Sequence, residues 1–355
     1  MENENKHRAI GEELERLILS GELTGKLPRA EDLAASYGVN VKTVGKALSR
    51  LVERNLVRRK RCAGSFVVPP GEREEPLLLE VVYVGETEFA LHPYFGEMWA
   101  GVLEGLRGLS YRTEFLPLEE DKFRGGVKTP RRDFARVSGR LVTGTADVRQ
   151  VEPLKHSEVP LVFMGVRPAD DDVHAVHAEC GEAMRKAIRF LRQAGVRTAG
   201  YIGATTTANA GNLYDVEKFY RFVAAAEGCG MLESAFIVNT PPFASWGYGA
   251  MNTILSRGRP GAVFVGCDQL AAGVYRAAAE HRLRIPEDLS VIGCDGIDQQ
   301  LTPKLFSIRI PRREIGREAA RMLLRLIRRE DGPLRIVRAA TLPEWEGSVR
   351  PLSQK

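Results

Sequence analysis

Asn40 to Arg54, NVKTVGKALSRLVER, is the stretch on which the reading of this chain turns. Val44, Ala47, Leu48 and Leu51 recur at helical spacing and form one apolar stripe. Lys42, Gly45, Lys46 and Ser49 share another face, which is cationic and free of carboxylates. Asn40 stands where an N-cap belongs. Ahead of it lie a short helical segment, Ala30 to Tyr37, and the tight break Gly38-Val39. Two helices about a short glycine turn, apolar inside and basic outside, form the pattern of a DNA-reading helix-turn-helix. A surface helix with solvated lysines has the same face, so the neighbouring sequence decides.

Upstream, Ile10, Leu14, Leu17 and Ile18 predict a first helix ending before Gly21. Downstream, Leu56 to Lys60 and Ser65 to Val68 predict two short strands joined by Arg61-Cys62-Ala63-Gly64. A hairpin behind a helix-turn-helix is a wing. Arg58, Arg59, Lys60 and Arg61 line its base and tip, where cations release counterions by neutralising phosphates.

Charge is distributed to suit this reading. Residues 1–70 hold 13 Lys/Arg against 9 Asp/Glu, a net +4 of the chain's +5. A basic head on a near-neutral body fits a polyanion reader with a separate regulatory part. The chain has 355 residues, room for two or three domains. Its opening residues lack the apolar core of a signal peptide, and no window approaches a membrane span. Five scattered cysteines fit reduced thiols, so the expected compartment is the cytoplasm.

The segment Val68 to Pro76, rich in proline, glycine and charge, reads as a boundary. The expected division is a head over 1–69, a linker over 70–76 and a body over 77–355. In the body, strand-like runs at Leu77–Val84, Arg140–Thr145, Pro160–Val166, Ala199–Gly203, Gly261–Gly266 and Leu289–Gly293 alternate with helical ones. The helical runs are Gly96–Leu109, Gly181–Ala194, Val216–Gly228, Gly247–Arg257, Gln269–His281 and Arg313–Arg329. Such alternation gives an α/β class with parallel sheets, here in two lobes. Glu119 to Arg136, basic and glycine-rich, reads as a disordered loop or a partner contact.

Small polar ligands of parallel α/β folds sit at the carboxyl ends of strands. Asp268 follows the strand run GAVFVGC, and Asp295 follows LSVIGC. Both are candidates to accept hydrogen bonds from hydroxyl groups, although Asp268 also precedes a helix and is equally a candidate N-cap. Phe243, Trp246, Tyr94 and Phe95 are candidates to stack on an apolar sugar face. His174, His177 and Cys180 invite a metal reading, but they lie in an extended run where residues three apart face opposite ways. No metal site and no cofactor are expected. No P-loop, GxSxG motif or clustered acid–base pair points to an enzyme.

Two resemblances sharpen this. The stretch LILSGELTGKLPRAEDLAASYGVNVKTVGKALSRLVERNLVRRKRCAGSFV resembles the winged helix-turn-helix of GntR-type transcription regulators. It departs from them at Glu31, Val41 and Gly45, where arginines are usual, and at Cys62, where the wing tip usually has glycine. The resemblance implies base-edge duty for Lys42, Thr43 and Lys46, and phosphate duty for Arg29, Arg58, Arg59 and Arg61. The runs CDQLAAGV, IPEDLSVIGCDG and IPRREIGREAA resemble a LacI-type effector-binding domain of periplasmic-binding-protein fold. That implies one lobe over about 77–166 and 312–332, and another over about 167–311 and 333–355. It implies an effector, by family habit a sugar or sugar derivative, bound through Asp295 and the position of Lys218, where the relatives carry arginine. A GntR-like head on a LacI-like body is the arrangement of AraR-type repressors. The expectation is therefore a homodimeric, DNA-binding regulator. A solute-binding protein would carry a secretion signal and no basic head, and a sugar-acting enzyme of similar fold would show turnover.

Overall fold

The computed structural model describes residues 2–60, 63–70, 76–84, 93–118, 120–121, 126–127, 137–144, 158–166, 172–206, 213–241, 244–297, 300–330, 332–344 and 347–352. They separate into two compact units, Met1–Leu79 with Leu106–Thr113, and Glu80–Gly105 with Glu114–Lys355. Most of the expected linker falls outside the described residues.

The first unit begins with three helices, α1 (Glu2–Ser20), α2 (Ala30–Ser36) and α3 (Val41–Glu53). Ile10, Leu14, Ile18, Leu33, Val44, Ala47, Leu48 and Leu51 are buried together, as the helical stripes predict. Gly38, at φ +60, turns the chain between α2 and α3 in a conformation that a side chain would strain. Strands β1 (Val57–Lys60) and β2 (Gly64–Val67) pair antiparallel, with Val57 opposite Val67 and Lys60 opposite Gly64. A third segment joins them through Leu27 N–H to the Ser65 carbonyl and Val67 N–H to the Gly25 carbonyl. This is a winged helix.

The second unit holds two parallel sheets. Three strands of the first match expected strand runs, β3 (Leu77–Val84), β7 (Gly139–Gly144) and β8 (Leu161–Met164), and β9 (Ala175–Glu179) lies in the extended run of His174 to Cys180. With β4 (Tyr111–Leu118) and β15 (Arg335–Ala339) they form the order β15-β9-β8-β7-β3-β4. Between β4 and β7, Glu120–Asp121 (β5) pairs with Gly126–Val127 (β6), and most of the expected 119–136 loop lies outside the described residues. The second sheet contains β10 (Ala199–Gly203), β11 (Leu232–Asn239), β12 (Ala262–Val265), β13 (Ser290–Asp295) and β14 (Phe306–Arg309), in the order β11-β10-β12-β13-β14 with every pair parallel.

The lobe boundaries need one correction. Residues 175–179 and 335–339 were expected in the second lobe, yet β9 and β15 pair with each other at the edge of the first sheet. Backbone hydrogen bonding assigns a strand to its sheet, and neither strand shows its pairing partner in its own sequence. The chain crosses between lobes after Glu179, between β14 and the following helix, and after Ala339. Beyond the last crossing, Ser348 sits between β13 and β14, accepting from Phe306 N–H at 2.8 Å and donating to the Val291 carbonyl.

The helices are α4 (Pro93–Gly105), α5 (Gly181–Gln193), α6 (Leu213–Gly228), α7 (Ala244–Arg257), α8 (Gln269–Glu280) and α9 (Arg312–Ile327). In the first lobe α4 and α9 pack backbone to backbone. A Cβ on Gly101 would stand 1.9 Å from the Arg313 carbonyl oxygen, and one on Gly316 would stand 1.8 Å from that of Met98. Buried Arg140 on β7 donates to Glu80 on β3 at 2.7 Å within the same lobe. In the second lobe Ile202, Met251, Ile254, Val263, Val265, Leu270, Val274 and Val291 form one core between the sheet and α7/α8.

Candidate functional site

In the first unit, the Asn40 side chain accepts from Thr43 N–H at 2.8 Å and so caps α3, as its position predicts. The same oxygen accepts from the Thr43 hydroxyl at 3.0 Å, and Thr43 is buried. The Thr43 hydroxyl thus helps to hold the helix start. Lys42, Lys46 and Arg50 are exposed along α3, with Val41 on its first turn. Arg29, at the start of α2, is exposed too.

Arg59 is placed differently from a loose wing cation. Its Nη2 donates to the Gly45 carbonyl at 3.1 Å and to Ser49 Oγ at 3.3 Å. A Cβ on Gly45 would meet nothing within 4 Å, and the wing arginine reaches the backbone of the reading helix at this residue. Lys60 lies over the Phe66 ring, 5.3 Å from its centroid. Arg58 is exposed on β1, and Arg61 lies outside the described residues.

In the second unit, strand ends bring the expected polar groups together. Lys218, on α6, donates to Asp295 Oδ1 at 3.2 Å and to the Gly266 carbonyl at 3.0 Å. Both side chains are almost fully buried, so each charge is matched where water is excluded. Asp268 does not cap α8, contrary to its alternative reading, because its backbone is already helical and its carboxylate turns the other way. It accepts from the Ser307 hydroxyl at 2.7 Å and from Ile297 N–H at 2.7 Å. Burial, followed by the charge of Asp295, pushes the Asp268 carboxyl up to about 7, against the opposing bonds from Ser307 and Ile297.

Arg312, within the IPRREIGREAA run, carries no local signal of a site role. It starts α9 in the first lobe and pairs with Glu97 on α4 at 2.9 Å. Its guanidinium also donates to the carbonyls of Asp295 and Gly296 in the second lobe, and covers the Tyr94 ring at 5.6 Å. One side chain therefore joins the two lobes beside Asp295. No helical or strand period signals this, since the contact spans two lobes. Tyr94 and Phe95 are half-buried and meet each other edge to face at 5.3 Å, while Phe95 packs on Tyr83 at 5.2 Å. Trp246, 54% exposed on α7, stands outside the buried cluster, and Phe243 lies outside the described residues.

A cavity of about 490 Å³ opens beside the Asp268 network, lined by Gly296, Ile297, Ser307, Arg309, Leu342 and Glu344 among others. His177 is buried in β9 with its Nδ1 at 3.0 Å from the Ala178 carbonyl. No group of three or more potential metal ligands occurs among the described residues. Among those residues, no helix is long and apolar enough to cross a membrane.

Fold and sites define a class: a winged-helix module joined to a two-lobed body of periplasmic-binding-protein type. Comparison with known proteins agrees. Residues 6–67 match the bacterial regulatory proteins of the gntR family, and residues 188–344 match the periplasmic binding protein-like domain. Over 201 residues it is 35% identical to the HTH-type transcriptional repressor PurR of Edwardsiella ictaluri, covering 52% of this chain and 54% of that protein. Over 213 residues it is 26% identical to catabolite control protein A of Priestia megaterium, covering 59% and 64% respectively. The matches thus span between about half and just under two thirds of these curated relatives. The structure of transcriptional regulator CelR in complex with cellobiose superposes with a TM-score of 0.64 at 21% identity, covering 89% of this chain and 98% of that one. The names these relatives carry are those of regulators, not of enzymes.

Proposed function

We propose that the protein is an effector-controlled transcription regulator of the AraR-type arrangement, acting as a repressor in the cytoplasm. The observation that carries this reading is the face of α3: Lys42, Lys46 and Arg50 exposed on a capped helix, with Arg59 tied to its backbone from the wing. A helix of this kind fits the major groove, and cations around it engage phosphates. A homodimer would set two such helices on the half-sites of a near-palindrome.

The effector is a sugar or sugar derivative held between the lobes. Asp295 supports this reading as a carboxylate able to accept from hydroxyls, and Arg312 supports it as the link a ligand there would strain or strengthen. A ligand with different affinities for the two lobe arrangements biases the dimer and so its grip on DNA, by a typical coupling of ~1–3 kcal/mol.

Selection from random duplexes, followed by titration of the enriched fragment at several salt concentrations, tests the first part. Salt-sensitive, sequence-selective binding is expected; failure to enrich any duplex overturns it. A thermal-shift screen over pentoses, hexoses and their phosphates and acids tests the second. At least one is expected to raise the melting temperature, and Asp295→Ala to remove that shift while leaving DNA affinity unchanged. A shift that survives Asp295→Ala removes Asp295 from the site.

A further inference from the structure

Arg58, Arg59 and Lys60 are all exposed on β1, but strand alternation sends them to different sides of the wing. Val57 and Val67, opposite each other, are buried in one core with the apolar stripe of α3. Arg59, two residues beyond Val57 and opposite Ser65, shares that side. Arg58 and Lys60 take the other side, where Lys60 lies over the Phe66 ring. Arg59 is thereby turned toward the reading helix. Its Nη2 donates to the Gly45 carbonyl at 3.1 Å and to Ser49 Oγ at 3.3 Å, and the Ser49 hydroxyl donates in turn to the Gly45 carbonyl at 2.9 Å. Gly45 and Ser49 belong to the same stripe of α3 as Lys42 and Lys46.

We propose that Arg59 is a specificity-determining residue: held across Gly45 from the wing, its guanidinium donates to N7 and O6 of a guanine in the major groove. This rests on the DNA-reading function proposed above, and it departs from the phosphate duty that the resemblance implies for Arg59. Both partners of Arg59 are neutral groups, so its full positive charge is kept for DNA. The two bonds made by Nη2 leave Nε and Nη1 with three N–H donors. Guanine offers two acceptors side by side in the major groove, and an arginine bonded to them is the commonest specific contact. Residues along the face of a groove-bound helix meet base edges, whereas phosphate contacts set its register and orientation. Gly45 leaves that face bare at its middle, and a side chain from the wing takes the place. Anchoring at Gly45 and Ser49 also orders a long side chain before DNA arrives, so less rotamer freedom is lost on binding.

The test uses the full chain and the duplex enriched by selection from random DNA. Each base pair of a half-site is replaced in turn, and each replacement is titrated against the unaltered protein, Arg59→Ala and Arg58→Ala at two salt concentrations. The unaltered protein is expected to prefer guanine about tenfold or more at one position. Arg59→Ala is expected to lose that preference and to keep those at the other positions, while Arg58→Ala weakens all sequences alike. Replacing the preferred guanine by 7-deazaguanine, which lacks the N7 acceptor, is expected to weaken binding by the unaltered protein and to leave Arg59→Ala unaffected. This last measurement on the unaltered chain needs no variant, and circular dichroism checks that each variant folds.

Uniform weakening of every sequence by Arg59→Ala, with a salt slope lower by about 1, would make Arg59 a phosphate contact and overturn the proposal. Base preferences unchanged in Arg59→Ala would reduce it to a strut between wing and helix and overturn the proposal as well, as would full affinity of the unaltered protein for the 7-deazaguanine duplex. These results would leave the DNA-reading function standing. Failure to enrich any duplex would instead remove that function, and the assignment of Arg59 with it.

Discussion

Asp268 shows how much a single buried carboxyl can reveal. Its position at the end of a strand run was legible, but its partners were not: Ser307 and Ile297 come from 39 and 29 residues away. Burial, and then the nearby Asp295 charge, make it an acid that favours its proton in the folded chain, with its carboxyl up from 3.8 to about 7 against the opposing bonds from Ser307 and Ile297. The sign follows from linkage. Between about 4 and about 7 the folded chain binds more proton at this site than the unfolded one, so its contribution to stability falls as pH rises and levels off above 7. Asp268→Asn removes that dependence. Chemical denaturation at steps from pH 4.5 to 8 is expected to show the stability of the unaltered protein, relative to Asp268→Asn, declining up to about pH 7 and then holding constant. A relative stability that rises over this range would refute the assignment. Thr43, by contrast, has a purely local partner: its hydroxyl donates to the Asn40 side chain that caps α3.

At the scale of elements, α3 was the most legible part of the chain. Its cap, its apolar stripe and its exposed cations were all local patterns, and the helix spans Val41–Glu53 against an expected end near Arg54. Replacing Lys42 and Lys46 together by alanine is expected to weaken duplex binding and to reduce the slope of log affinity against log salt by ~2, since each lysine neutralises about one phosphate. Gel-shift titration over a salt series measures both, and an unchanged affinity would contradict the placement of α3 in the groove. The contact of α4 with α9 was not legible, because a glycine within a helical run shows neither what approaches it nor how closely. Gly316→Ala would drive a methyl group into the Met98 carbonyl. The helices must part, and a loss of ~1–3 kcal/mol is expected in urea unfolding. An alanine variant as stable as the original would show that the two helices do not approach so closely.

Across the whole molecule, alternation of β and α runs determined the class, and two stretches of motif determined the kinship of head and body. Strand runs Ala199–Gly203, Gly261–Gly266 and Leu289–Gly293 were found because buried parallel strands are continuous apolar runs. Strand β15, with alternate residues exposed at a sheet edge, carries arginines that mask it. β11 is likewise half-exposed at the edge of its sheet. Composition and local period therefore fixed that this chain has a basic winged-helix head and a two-lobed α/β body, because each signal is carried by residues within a few turns or one strand of each other. Tertiary structure alone decided that β9 and β15 belong to the first lobe, that Arg312 crosses to the second, and that Lys218 meets Asp295 across 77 residues. Those facts depend on strand pairing and on charges meeting where water is excluded, and no spacing along the chain encodes them.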